Sequence, residues 1–167
     1  MILRPPRNTK RIRHFPASRG GAVEAIRFEW WHRQLIYAVV GTMFITGVLW
    51  LLFHEFVRVR TPFGDGPHAL ESWWLKLHGL SAMLGLIVLG SLIFTHVRYA
   101  WKTCKNIASG IMLLTSNVVL IATGYALYYF GGEQTRPMIS LIHWGVGVAL
   151  VLLMAVHIVI GRRVRGG

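Results

Sequence analysis

Residues 75–97 read LKLHGLSAMLGLIVLGSLIFTHV, a run in which only Lys76, His78 and His96 carry ionisable side chains. A helix needs roughly 20 apolar residues to cross the ~30 Å hydrocarbon layer of a bilayer. This run meets that length and keeps a histidine near each end. Three further stretches qualify: Gln34 to Phe53, Ile107 to Phe130 and Met138 to Ile160. The whole chain, 167 residues long, is 54% hydrophobic and 14% charged, too apolar for an ordinary water-soluble domain. The expected fold is all-α and integral to the membrane. It is an antiparallel up-down bundle of four transmembrane helices, at approximately 30–57, 73–98, 107–130 and 138–161. These helices form one domain over 30–163, preceded by a basic tail at 1–29.

The connections agree with that architecture. The one after the first helix carries Thr61-Pro62-Phe63-Gly64-Asp65-Gly66-Pro67, rich in turn formers, and Glu71-Ser72-Trp73-Trp74 then leads into the second helix at the membrane boundary. The segments from Arg98 to Asn106 and from Gly131 to Pro137 are short, as antiparallel neighbours require. Pro137 suits the first turn of the fourth helix. Trp30 and Trp31 open the first helix as interfacial anchors.

A formal net charge of +12 raises nucleic acid as a partner, and the distribution of the charge argues against it. Fourteen of the 18 Lys and Arg residues fall in the tail through Arg33, in the second-to-third connection (Arg98, Lys102, Lys105) or at the C-terminus (Arg162, Arg163, Arg165). Arg58, Arg60, Lys76 and Arg136 occupy the other side. By the positive-inside rule both termini are cytoplasmic. The tail reads as a solvated arm drawn to anionic lipid headgroups. It lacks the short apolar core and small-residue cleavage site of a signal peptide, so the first span is expected to serve as the insertion signal. The single cysteine, Cys104, permits no disulfide within the chain, and there is no C-x-x-C-H sequence for covalent haem attachment.

Histidine is rare inside a bilayer and usually functional there. His78 and His96 are eighteen residues apart, five whole turns at about 100° per residue, and so share a helix face. His143 and His157 are fourteen apart, four turns less about 40°, and share a stripe as well. The second and fourth helices run in the same direction, which sets His78 level with His143 outside and His96 level with His157 inside. Four imidazoles, two near each membrane face, fit the axial ligands of two stacked, non-covalent b-type haems. The separations, about 27 Å on the second helix and about 21 Å on the fourth, differ by about 6 Å and call for unequal tilt. His32 and His54, twenty-two apart, form a third same-face pair, and His32 competes with His96 for the place opposite His157. His54 also reads as an interfacial pair with Glu55. His14 and His68 lie in polar segments and read as surface residues.

Gly85 lies within about 20° of both His78 and His96. It leaves room either for a flat macrocycle or for close helix packing. Gly147, four after His143, allows the same two uses. Arg98 and Arg162 on the inner side, and Lys76 or Arg136 on the outer, stand where haem propionates would meet cations or where basic side chains snorkel.

At these residues the chain resembles the four-helix di-haem cytochrome b family, which includes the cytochrome b subunits of membrane formate dehydrogenases and nickel–iron hydrogenases. The matching segments are Lys76-Leu77-His78-Gly79, His143-Trp144-Gly145 with His157-Ile158, Thr46-Gly47 and Thr123-Gly124-Tyr125, and the likeness covers roughly residues 27–163. It implies quinone-linked electron transfer across a bacterial cytoplasmic (inner) membrane, with the chain anchoring a redox partner in a larger complex. His143 and His157 would then ligate different haems, with His78 paired to His143. The family often draws the inner ligand from the start of the first helix, in an Arg-x-x-His-Trp pattern. Here Arg27-Phe28-Glu29-Trp30-Trp31-His32 displaces the histidine, and the second helix offers His96 instead. The inner ligand stays open between His96 and His32. Two other classes compete with an electron-transfer subunit: a self-contained quinone-linked haem reductase, and a non-haem transport or assembly protein whose histidines bind metal ions or pack. No Asp or Glu lies within the spans to carry a proton or cation relay, which weighs against transport.

Overall fold

The computed structural model describes residues 30–62, 64–103 and 106–166. The tail expected over 1–29, with His14, lies outside the described residues, as do Cys104 and Lys105. Helix α1 spans Trp30–Phe56, and strands β1 (Arg58–Thr61) and β2 (Gly64–Pro67) follow as an antiparallel pair. Helix α2 (Ala69–Leu92) continues through a π-helical turn at Ile93–Val97 into the short α3 (Arg98–Thr103). Helices α4 (Ile107–Tyr129) and α5 (Thr135–Gly166) complete the chain. Among the described residues four stretches are helical, long and apolar enough to cross a membrane: Trp30–Phe56, Ala69–Lys102, Ile107–Tyr129 and Thr135–Arg163.

Local chemistry explains where the elements depart from expectation. The turn-rich stretch after α1 is a hairpin with Thr61 paired to Gly64 across its tip. Gly64 takes φ +112°, which a residue without Cβ adopts readily, and Thr61 Oγ1 donates to the Gly64 carbonyl at 2.6 Å. Helix α2 starts at Ala69 rather than near residue 73 because His68 caps it. The His68 backbone is extended, and its Nδ1 accepts the Leu70 N–H at 3.1 Å. His68 is thus a helix cap, more than an ordinary surface residue. Helix α5 opens at Thr135, so Pro137 does fall in its first turn.

The helices pair as two hairpins, α1 with α2 and α4 with α5, and the main backbone contact between hairpins is α1 with α5. Contacts at both ends give the direction within each hairpin. His54, near the end of α1, meets Glu71 at the start of α2 at 2.7 Å, while His32 at the start of α1 meets Ser91 near the end of α2 at 3.3 Å. His54 therefore pairs with Glu71 and not with adjacent Glu55, since neighbours on a helix point about 100° apart. Likewise Thr123 meets His143 and Ser109 meets His157, so α4 and α5 are antiparallel.

Among the described residues only Val39, Thr46, Ser81 and Val88 are buried. Ile87, Phe94, Tyr128 and Leu152 are among many large apolar side chains turned outward, the inverse of a water-soluble fold and compatible with a multi-pass membrane protein. Exposed Trp30, Trp31 and Trp101 collar one end; Phe56, Trp73, Tyr128 and Tyr129 collar the other.

Candidate functional site

Two pairs of imidazoles join the hairpins. The His78 ring of α2 and the His143 ring of α5 have centres 6.3 Å apart, and the His96 and His157 rings 6.0 Å apart. Both pairs are close to perpendicular, at 81°. A ligating imidazole nitrogen lies about 2.0 Å from a bound metal and about 1.1 Å from its own ring centre, so two rings on opposite sides of one ion have centres about 6.2 Å apart. Both observed spacings sit at that value. The eighteen-residue and fourteen-residue spacings are reconciled in part at His96, which lies inside the π turn. An i→i+5 turn holds more residues than an α turn and so shortens the helix against its residue count.

Hydrogen bonds place the proton in the His78 and His143 rings. His78 Nδ1 lies 3.0 Å from the Met43 carbonyl, which can only accept, so Nδ1–H is the donor. Thr46 Oγ1, 3.2 Å from the same Nδ1, gives its own proton to the Thr42 carbonyl at 2.7 Å. Thr123 Oγ1 donates to the Val119 carbonyl at 2.7 Å and therefore accepts from His143 Nδ1 at 2.8 Å. Ser109 Oγ donates to Asn106 Oδ1, and His157 Nδ1 meets both Ser109 Oγ at 2.8 Å and Asn106 Nδ2 at 3.2 Å. In the His78 and His143 rings Nδ1 is a donor, which leaves the Nε2 lone pair able to bind a metal. Ligating histidines usually anchor their second nitrogen in this way.

His32 is placed differently. Its ring stacks on Trp31 with centres 5.3 Å apart, and its Nε2 meets Ser91 Oγ at 3.3 Å. Ser91 gives its proton to the Val88 carbonyl at 2.7 Å, so His32 Nε2 is the donor. His54 stacks on Trp50 and bonds Glu71, away from both facing pairs. Arg98, two residues past His96, has an exposed side chain at the same end of the fold as His157.

Gly85 faces α1. A Cβ there would lie 3.0 Å from Met43 Sδ and 3.7 Å from Val39 Cγ1. The space it leaves is occupied by side chains of the neighbouring helix. Gly147 similarly faces Leu120 of α4. A direct consequence is that Gly85→Leu should force α1 from α2 and lower the thermal midpoint of the detergent-solubilised protein, at an overpacking cost of about 1–3 kcal/mol. Gly90→Leu should leave the midpoint unchanged, because nothing lies within 4 Å of a Cβ at Gly90.

Sequence reasoning missed Asn106 and Ser109. Asn106 holds a left-handed backbone (φ 54°) before α4, a conformation asparagine tolerates better than most residues, and its Nδ2 donates to the His157 carbonyl at 3.2 Å. A signal was present: Ser109 and Thr123 are fourteen apart, the spacing of His143 and His157 on the antiparallel neighbour.

No family model, no curated protein and no solved structure matches the chain.

Proposed function

We propose that the chain is a membrane-embedded di-haem b cytochrome that passes electrons across the bilayer between a quinone pool and a redox partner, as a subunit of a larger complex. One haem site lies between His78 and His143, the other between His96 and His157. The observation that carries this reading is the meeting of four imidazoles by twos, at 6.3 and 6.0 Å, with Nδ1 hydrogen-bonded in three of them and a donor in His78 and His143. An iron porphyrin would need two imidazoles from the protein and would supply a one-electron couple when bound. Each facing pair offers that number, whereas a bare ion such as zinc takes four ligands.

His78, His143, His96 and His157 would hold the two haems, whose one-electron chemistry when bound would suit the chain to transfer rather than catalysis. His78 with His143, and His96 with His157, fix the two sites about 21 Å apart along α5. Arg98 is exposed near His96, where it would meet a haem propionate at the membrane edge. The outward apolar surface and the two aromatic collars suit lipid. The basic excess on one side supports cytoplasmic termini. The quinone, the partner protein and a bacterial cytoplasmic membrane come from the resemblance to the di-haem cytochrome b family.

The test is the visible spectrum of the purified chain after expression with ample haem supply. A reducible bis-imidazole haem spectrum is expected, with two haems b per chain by pyridine haemochrome assay. A colourless protein discards the reading.

A further inference from the structure

The sequence contains three Ser/Thr–Gly dipeptides, Thr46-Gly47, Ser109-Gly110 and Thr123-Gly124, and each lies against a different histidine. The hydroxyl of each meets Nδ1: Thr46 with His78 at 3.2 Å, Ser109 with His157 at 2.8 Å, Thr123 with His143 at 2.8 Å. The glycine of each leaves space for the same ring. A Cβ at Gly47 would stand 3.1 Å from His78 Cε1, at Gly124 3.4 Å from His143 Cε1, and at Gly110 3.9 Å from His157 Cε1. The hydroxyls are aimed by their own helices. A Ser or Thr that gives its proton to a nearby carbonyl on its own helix turns its lone pairs toward the next helix. Thr46 and Thr123 do this, and Thr46 is one of the few buried residues, at 4% exposure. Thr42 and Ser116 make the same back-bond, at 2.8 Å each, but Met43 and Asn117 follow them where the cradles have glycine.

We propose that these dipeptides are a repeated imidazole cradle in which the hydroxyl sets the tautomer and plane of the ring and the adjacent glycine admits its Nδ1–Cε1 edge. Thr46, Thr123 and Ser109 are thereby positioning residues that tune the potentials of the groups their histidines hold. The inference rests on the haem reading above. A hydrogen bond from Nδ1–H gives the ring electron density, makes Nε2 a stronger donor and favours the oxidised metal. Both rings of the outer pair are cradled, and on the inner pair Ser109 holds His157.

The experiment is a redox titration of the purified full-length chain, followed by its visible spectrum, with ferric electron paramagnetic resonance to report the relative rotation of the imidazole planes. Thr123→Val is expected to raise the outer potential. The ferric-to-ferrous ratio at fixed potential should change about threefold, close to 30 mV at about 59 mV per tenfold for one electron. The resonance should shift with it, and Thr123→Ser should restore both. Loss of the outer haem alone in Thr123→Val, regained in Thr123→Ser, supports the cradle equally. Ser109→Ala should move the inner haem and not the outer, and Thr42→Val should move neither. Among the glycines, Gly47→Ala should disturb its haem most and Gly110→Ala least, in the order of the contact distances. The cradle is overturned if the wild type holds both haems while Thr46→Val and Thr123→Val leave potentials and resonance unchanged, or if Thr42→Val shifts them as much. A wild type that takes up no haem overturns the haem reading and the cradle with it.

Discussion

Exchanging His78 for alanine and, separately, His143 for alanine is expected to remove the same haem and to halve the haem content in both variants. The two residues come from different hairpins, yet their rings stand 6.3 Å apart, the separation of two ligands on one iron. Removing either leaves one ring, still tethered through Thr46 and Met43 on one side or Thr123 on the other. That tether holds the surviving ring in place but supplies no second ligand. Because both substitutions act on one site, the double variant should lose no more haem than either single variant, the non-additivity of residues that work as a unit. The measurement is haem stoichiometry with a redox titration to identify which haem survives. Two single variants that lose different haems, or a double variant that loses both, would show that α2 and α5 are not paired through these residues.

How far the sequence reveals this arrangement depends on what each residue can mean alone. The four spans are legible because twenty apolar residues in a row have few other uses. The faces of His143 and His157 are legible because α5 is regular helix between them, so counting residues counts turns. For His78 and His96 the count of five whole turns assumes an α-helix throughout, and the π turn at Ile93–Val97 breaks that assumption next to His96. Nothing in Ile93-Phe94-Thr95-His96-Val97 announces a π turn. Gly85 was ambiguous because glycine serves any close approach, whether to a ring or to Met43. The hairpin at Arg58–Pro67 hid behind its turn formers: four-residue strands are too short to show alternation. Ser109 is the instructive miss. Its spacing from Thr123 equals that of the histidines it and Thr123 hold, but the coincidence has meaning only once α4 and α5 are known to lie antiparallel in that register.

The inner site gives the second large effect: His96→Ala is expected to abolish inner haem binding, while His32→Ala keeps it. Both residues satisfy the face and depth that a partner for His157 needs, and α1, which carries His32, does touch α5. Side-chain geometry separates them. The His96 ring stands 6.0 Å from that of His157 and 81° to it, close to the 6.3 Å and 81° of the His78–His143 pair. The His32 ring instead lies on Trp31, and its Nε2 gives a proton to Ser91, whose hydroxyl is already committed to Val88. Turning His32 toward His157 would cost that hydrogen bond, about 0.5–1.5 kcal/mol, and the stack, about 0.5–1.5 kcal/mol more. Neither cost is prohibitive alone, so the assignment rests on His96 already standing where a ligand must stand. The measurement is inner-haem content in the two variants, with the outer haem as internal standard. Retention of the inner haem in His96→Ala and its loss in His32→Ala would move the inner site to the α1–α5 contact, and would make the π turn at His96 a packing feature with no role in holding iron.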